Sequence, residues 1–366
     1  MRKNFPTQIL LLSAYLSLGG CSDDSQLPKP APDAVVPSVV TQPVPGDSDD
    51  PAIWINPSDF AASLVFGTDK TRRSGGLYAF SLDGNIVDSS KVIGLDKPNN
   101  VDVIQDIFLD GLMVDIAVVT ERAARKLRIF SLPDMTPLDG GGLPVFVEEP
   151  GLVPMGVALY QRPSDDALFV ILSSKSGDSG EYLWQYRLEG DGGGQFVATL
   201  ARRFGLFSGG GEIEAIAVDR ELGYVYYSDE RYAVRKYHAN PDDGDDEIAL
   251  IGRNEDLVGA GSVPFLRDRE GIAIYSTGPG TGYILVSDQH ALRLHVYPRE
   301  GVGMDLHSHP QLAAIPVSSV LTDGIEATSL SLSPQFPQGM LVMMSEYRRF
   351  HFYRWEDIQA RIDSAP

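Results

Sequence analysis

Acidic residues recur in this chain as short clusters: Asp47-Ser48-Asp49-Asp50, Asn99-Asn100-Val101-Asp102, Glu212-Ile213-Glu214, Asp229-Glu230, Asp268-Arg269-Glu270 and Asp323-Gly324-Ile325-Glu326. Each alone reads as a solvated surface group. Carboxylates brought together repel one another unless a cation neutralises them. Oxygen ligands on irregular loops suit Ca²⁺, which tolerates variable coordination. On this reading the metal ligands are Asp50, Asp102, Glu214, Glu230, Asp268, Glu270, Asp323 and Glu326. A basic set accompanies them: Lys70 with Arg72 and Arg73, Arg122 with Arg125, and Lys175. Their ordinary reading is surface charge. Beside several bound cations they become candidates for gripping phosphate oxygens.

Gathering such groups at one place requires a repeating scaffold, and the chain supplies one. A short apolar segment recurs around Ile53, Val101, Ala158, Ile216, Ala273 and Ser329, at steps of 48 to 58 residues. A second recurs around Phe80, Ile129, Tyr186, Tyr237, Val296 and Tyr353, at steps of 49 to 59. Further strand-like runs, such as Asp115-Ile116-Ala117-Val118-Val119, lie between them. About four short strands per period of roughly fifty residues is the pattern of a β-propeller. The expectation is an all-β, six-bladed propeller, in which the loops leading into the inner strands converge on one mouth of a central channel. Those are the loops that carry the acids. Two packed β-sandwiches would leave the period unexplained. One helix is expected, from Trp355 to Ile362.

Composition narrows the chemistry. The chain has 366 residues, 37 Gly and 25 Pro, and a formal net charge of -20. Such a charge argues against nucleic-acid binding, which needs a basic surface to replace phosphate counterions. The single cysteine, Cys21, precedes the folded region, so a cysteine nucleophile is excluded there. None of the six histidines follows an arginine, which removes the Arg-His-Gly start of histidine phosphatases. Gly209-Gly210-Gly211 lacks the lysine of a P-loop, and His307 with His309 sits in a Pro/Gly-flanked loop. Carboxylate-rich, histidine-poor chemistry remains.

The first residues set a location. Met1-Arg2-Lys3-Asn4 is a positive start, Ile9 to Leu18 is mostly apolar, and Leu18-Gly19-Gly20-Cys21 closes the segment. This is the layout of a bacterial lipoprotein signal over 1–21, with Cys21 as the acylated residue. The apolar run is too short to span a bilayer. Residues 22–45, rich in Pro, Asp and Ser, read as a tether in which Val39 and Val40 could add an edge strand, and 46–366 as the propeller. A lipid-anchored protein of the bacterial envelope follows, with Ser22 favouring the outer membrane. Contact with membrane is expected through the lipid only.

From Gly46 to Ile358 the chain resembles the β-propeller phytases, on the strength of Asp49-Asp50-Pro51-Ala52-Ile53-Trp54, Asn99-Asn100-Val101-Asp102, Ile213-Glu214-Ala215-Ile216-Ala217, Asp268-Arg269-Glu270-Gly271 and Thr322-Asp323-Gly324-Ile325-Glu326. The resemblance implies a phosphomonoester hydrolase acting on phytate. In it calcium ions bind substrate phosphates and activate a water that attacks phosphorus directly. It implies metal-site roles for Asp50 and Asp102, and calcium-binding or water-activating roles for Glu214, Glu230, Glu270 and Asp323. Lys70, Arg122 and Lys175 match its phosphate-binding bases and, with Glu214, form the expected catalytic set, Arg72 adding to substrate binding. This chain departs from the pattern at Met155, where the family has tyrosine, at Ser176, where it has glutamate, and around Thr71-Arg72-Arg73. The expected partner is a small phosphorylated anion as its calcium complex, bound by a monomer. Two other classes stay open: a non-catalytic envelope propeller, and a calcium-dependent propeller lactonase or phosphotriesterase.

Overall fold

The computed structural model describes residues 27–257 and 261–365, so the signal segment 1–21 and Cys21 lie outside the described residues. The chain forms six four-stranded antiparallel sheets, the expected six-bladed propeller. The inner strands are Ser48–Trp54, Pro98–Leu109, Pro154–Gln161, Ile216–Asp219, Arg269–Gly278 and Ile325–Thr328, for blades 1 to 6 in order. In blades 1 to 5 the next three strands follow outward in sequence. Blade 6 takes its outer strand from the other end of the chain: Val39–Val40 pairs with Arg349–Arg354, Val39 opposite Phe352. This closes the ring.

Period-two alternation explains why the strands read as nearly continuous apolar runs. In the second strand of blade 1, Leu64 and Phe66 pack toward blade 2 while Val65 packs toward blade 6. In blade 3, Leu168, Val170 and Leu172 face blade 2 while Phe169 and Ile171 face blade 4. Both faces of a blade are buried, so both sets must be apolar. The core is a ring of six interblade clusters, each shared by two neighbouring sheets.

Two expectations are corrected. The segment 22–45 reads as a tether that could add an edge strand only at Val39 and Val40, but from Val35 onward it belongs to the propeller. Val35 bridges Val317, and Thr41 and Val44 are fully buried. The inner strand of blade 6 is Ile325–Thr328 rather than Thr328–Ser331, because Ile325 pairs with Met343 and the chain turns outward at Leu330 and Ser331, both exposed. The terminal helix spans Trp355–Asp363.

A device recurs where inner strands begin. Register slips between Ser48 and Pro51, Pro98 and Val101, Pro154 and Val157, and Arg269 and Ile272. Each slip frees an N–H from the ladder, and a hydroxyl on the second strand accepts it. Asp50 N donates to Thr68 Oγ1 at 3.0 Å, Asn100 N to Thr120 Oγ1 at 3.1 Å, Gly156 N to Ser173 Oγ at 2.9 Å and Gly271 N to Ser287 Oγ at 2.8 Å. Bulges of this kind re-aim side chains. Here they turn Asp49, Asn99 and Glu270 toward the mouth.

Candidate active site

Blades 1 and 6 meet the site first. Lys70, directly after the second strand of blade 1, places Nζ 2.8 Å from Asp49 Oδ1 and 2.6 Å from Asp323 Oδ2. Gln289 from blade 5 donates to Asp323 Oδ1 at 2.7 Å. From blade 2, Asn99 Nδ2 donates to Glu214 Oε1 of blade 4 at 2.5 Å, and Arg122 donates to Asn99 Oδ1 at 3.2 Å. Blade 3 contributes Lys175, ion-paired with Glu212. Arg269, fully buried, donates to the Glu230 carbonyl at 2.9 Å and so locks the Glu230 loop of blade 4 to blade 5. Gly156 lets blade 3 come close: a Cβ there would lie 1.8 Å from the Glu214 carbonyl oxygen.

The acids outnumber the cations that meet them, and their proton affinities show it. Burial, reinforced by Glu214 and Asp323, pushes Asp49 well above the usual carboxylate range although Lys70 opposes the shift. Burial and the Glu214, Glu230 and Asp323 charges do the same to Glu270. Glu230 is pushed up to about 7, by burial first and then by Glu212, Glu214 and Asp268. Glu214 is raised by burial and by Asp323. Burial works against the charge on Lys70, but Asp49 and then Asp323 outweigh it and hold the side chain as an ammonium.

Beside this cluster lies a cavity of about 550 Å³ bordered by Lys70, Arg72, Lys97, Arg122 and Arg125. Lys97 is depressed, by burial and then by the Arg122, Lys70 and Lys175 charges, as expected of a cation among cations. Among the described residues only Asp47 brings an acid to this wall. The central channel is the larger cavity, about 680 Å³, walled by inner-strand aliphatics such as Ile53, Val101 and Ile272 together with charged side chains, among them Asp102, Arg220 and Glu326.

The expected residues divide accordingly. Glu214, Glu230, Glu270, Asp323 and Asp268 gather at the mouth, where burial and then the charges of the other four raise the proton affinity of Glu270. Arg231 holds Asp268 at 3.1 Å. Lys70, Arg72 and Arg122 border the basic cavity, with Arg72 exposed and Lys175 close enough to depress Lys97. Asp50 stands between mouth and channel: its carboxylate accepts from Val101 N at 3.0 Å, and both Glu214 and Glu326 add to its burial-driven rise. Asp102 and Glu326 do not join the mouth. They line the channel, where Arg220 pairs with Asp102 at 3.0 Å and burial with the Asp102 charge pushes Glu326 up to about 8. Asp229 is also structural, fully buried against Arg235 at 2.9 Å and Ser208 N at 2.7 Å. His309 is buried, with ring nitrogens on Pro298 O and Lys236, which fits the loop reading rather than a metal pair.

Lys97, Asn99 and Gln289 were missed as site residues. A signal existed: second strands end Thr68-Asp69, Thr120-Glu121, Ser228-Asp229, Ser287-Asp288, a hydroxyl followed by an acid. Those acids prop the mouth loops, as Asp69 does by accepting from Gly46 N, Asp47 N and Thr71 N.

Divalent ions fit these residues chemically. The donors are hard oxygens, and Asp49 Oδ2 and Glu212 Oε2 are buried without a hydrogen-bond partner. Among the described residues no three acids or histidines converge as a metal cage, and Lys70 occupies Asp49 Oδ1 and Asp323 Oδ2.

Fold and site together define a six-bladed propeller with acids and bases gathered at one mouth. The family model named Phytase matches residues 9–348, and the chain belongs to the phytase family. It is 26% identical over 337 residues to the 3-phytase of Bacillus subtilis (strain 168), covering 87% of this chain and 82% of that one. Among solved structures, an α-L-arabinofuranosidase of Fusarium graminearum superposes with a TM-score of 0.54 at 10% identity, over 91% of this chain and 100% of that one. A hydrazine synthase of Kuenenia stuttgartiensis gives 0.50 at 10% identity, over 83% and 82%. These two share the fold alone.

Proposed function

We propose that this enzyme releases phosphate from phytate, myo-inositol hexakisphosphate, in a calcium-dependent reaction at the propeller mouth. The observation that carries the reading is the juxtaposition of an under-neutralised acid cluster with a wall of five bases, joined through Lys70. A polyanionic substrate needs positive charge from a protein of net charge -20. The basic wall supplies part of it. Calcium held by Glu214, Glu230, Asp268, Glu270, Asp323 and Asp50, with Asp49 and Glu212, would supply the rest and acidify water in the site.

The side chains have distinct tasks. Lys70, Arg122 and Lys175 grip the oxygens of the transferring phosphoryl group and balance the charge it gains. Glu214 takes the proton of the attacking water; burial and then the Asp323 charge raise its proton affinity, as a base requires, and Asn99 fixes its orientation. Water oxygen bonds to phosphorus on one side while the bond to the inositol oxygen breaks on the other, the departing oxygen taking a proton from solvent. Arg72, Lys97 and Arg125 receive neighbouring phosphates.

The enzyme acts as a monomer on a calcium-phytate complex, anchored to the bacterial outer membrane by lipid on Cys21, as its first residues suggest. No helix among the described residues is long and apolar enough to cross a membrane. A lactonase or phosphotriesterase would not need five bases on one wall. Phosphate release from phytate, run beside a lactone and a phosphotriester, tests the reading. Turnover of either rival substrate without turnover of phytate would replace it.

A further inference from the structure

At the channel level where two metal ligands were expected, the chain carries a cation of its own. Arg220, just past the inner strand of blade 4, donates from one terminal nitrogen to Asp102 Oδ2 at 3.0 Å, Asp102 Oδ1 at 3.2 Å and Val103 O at 3.0 Å. Its Nε donates to Leu159 O at 3.2 Å. The acceptors belong to blades 2 and 3, so one side chain ties three blades together across the channel. All four are oxygens, one carboxylate and two main-chain carbonyls. That is the donor set a hard divalent ion selects.

We infer that Arg220 is a built-in replacement for a metal ion in the channel, seated among the oxygens of Asp102, Val103 and Leu159. The seat is held in place independently of the arginine. Asp102 also accepts from Leu159 N and Val103 N, each at 2.7 Å, so the carboxylate would stay aimed at the same point with the guanidinium gone. Glu326 lines the same cavity, makes no ion pair among the described residues, and would supply a further oxygen. A guanidinium cannot be removed by chelators or displaced by protons at any ordinary pH. The channel therefore stays tied in metal-free protein, while the mouth depends on its ions.

Counting ions tests this without reference to turnover. Protein stripped with a chelator is titrated with CaCl₂, and bound calcium per chain is measured by calorimetry and by elemental analysis. Arg220→Ala is expected to bind one calcium more than the native chain, and to show a larger rise in melting temperature on calcium addition. Adding Asp102→Asn to Arg220→Ala is expected to return the count to the native value. Arg220→Lys, which keeps a cation on a flexible stem, guards against failure of the alanine variant to fold and is expected to keep the native count. An unchanged count in folded Arg220→Ala overturns the inference. So does a native chain that loses one ion through Asp102→Asn alone. Because only differences in count are read, the result stands apart from whether the mouth hydrolyses phytate.

Discussion

Lys70 and Asp323 lie 253 positions apart in sequence, yet their Nζ and Oδ2 atoms are 2.6 Å apart where blade 1 closes against blade 6. The ion pair that completes the ring is thus part of the mouth. Lys70 also neutralises fully buried Asp49, so it stands where the acid cluster and the basic wall join.

Replacing Lys70 by methionine should therefore do two things. Phosphate release should fall on the order of 100-fold or more in kcat/KM, since a charge aimed at the transferring group is lost. In chelator the variant should lose about 3 kcal/mol of stability, because buried acids are left without their cation. Denaturant titration checks the second effect, and calcium should restore most of it. A stability loss that calcium does not repair would separate Lys70 from the metal-binding acids.

Glu214→Gln preserves shape and the acceptor for Asn99 but removes the base. Turnover should drop on the order of 100- to 1,000-fold even at saturating calcium, with circular dichroism nearly unchanged. Near-native turnover would remove Glu214 from the chemistry.

Lys97→Met probes the basic wall at a distance from the proposed scissile phosphate. KM for phytate should rise on the order of tenfold with kcat little changed, because the interaction is present in both ground and transition states. A substrate with a single phosphate should show almost none of this rise.

The mouth acids also set how metal-free protein responds to pH. Burial and neighbouring acids raise Glu230 from 4.5 to about 7, and raise Asp49 and Glu270 well above their ordinary values. Between about 4.5 and 7 the fold then holds protons that the unfolded chain has released, so stability must fall as pH rises through that window. The melting temperature in chelator should decline across it. Calcium needs the ionised carboxylates, so its apparent affinity should rise over the same range and its stabilisation should grow with pH. A melting temperature in chelator that climbs over this window contradicts the crowded-acid picture.

What the sequence could and could not convey follows from distance along the chain. The blades were legible because each is a local repeat whose apolar runs are buried on both faces. Val39 and Val40 were legible as an edge strand but not as the closure, since their partners Phe352 and His351 lie at the other end of the chain. The acids Glu214, Glu230, Asp268, Glu270 and Asp323 were legible by recurrence at equivalent loops. Asp102 and Glu326 share that recurrence but lie in the channel, where Arg220 answers Asp102 from two blades away. Lys97 has no repeat partner among the bases, and only folding sets it beside Arg122 and Lys70.

Calcium at the mouth is the claim on which the catalytic proposal rests, and phosphate release from phytate measured before and after chelation tests it most directly. Activity should vanish in excess chelator and return in full when calcium is restored, while Glu270→Gln should demand more calcium for the same rate. Undiminished release by chelated, metal-free protein would contradict it.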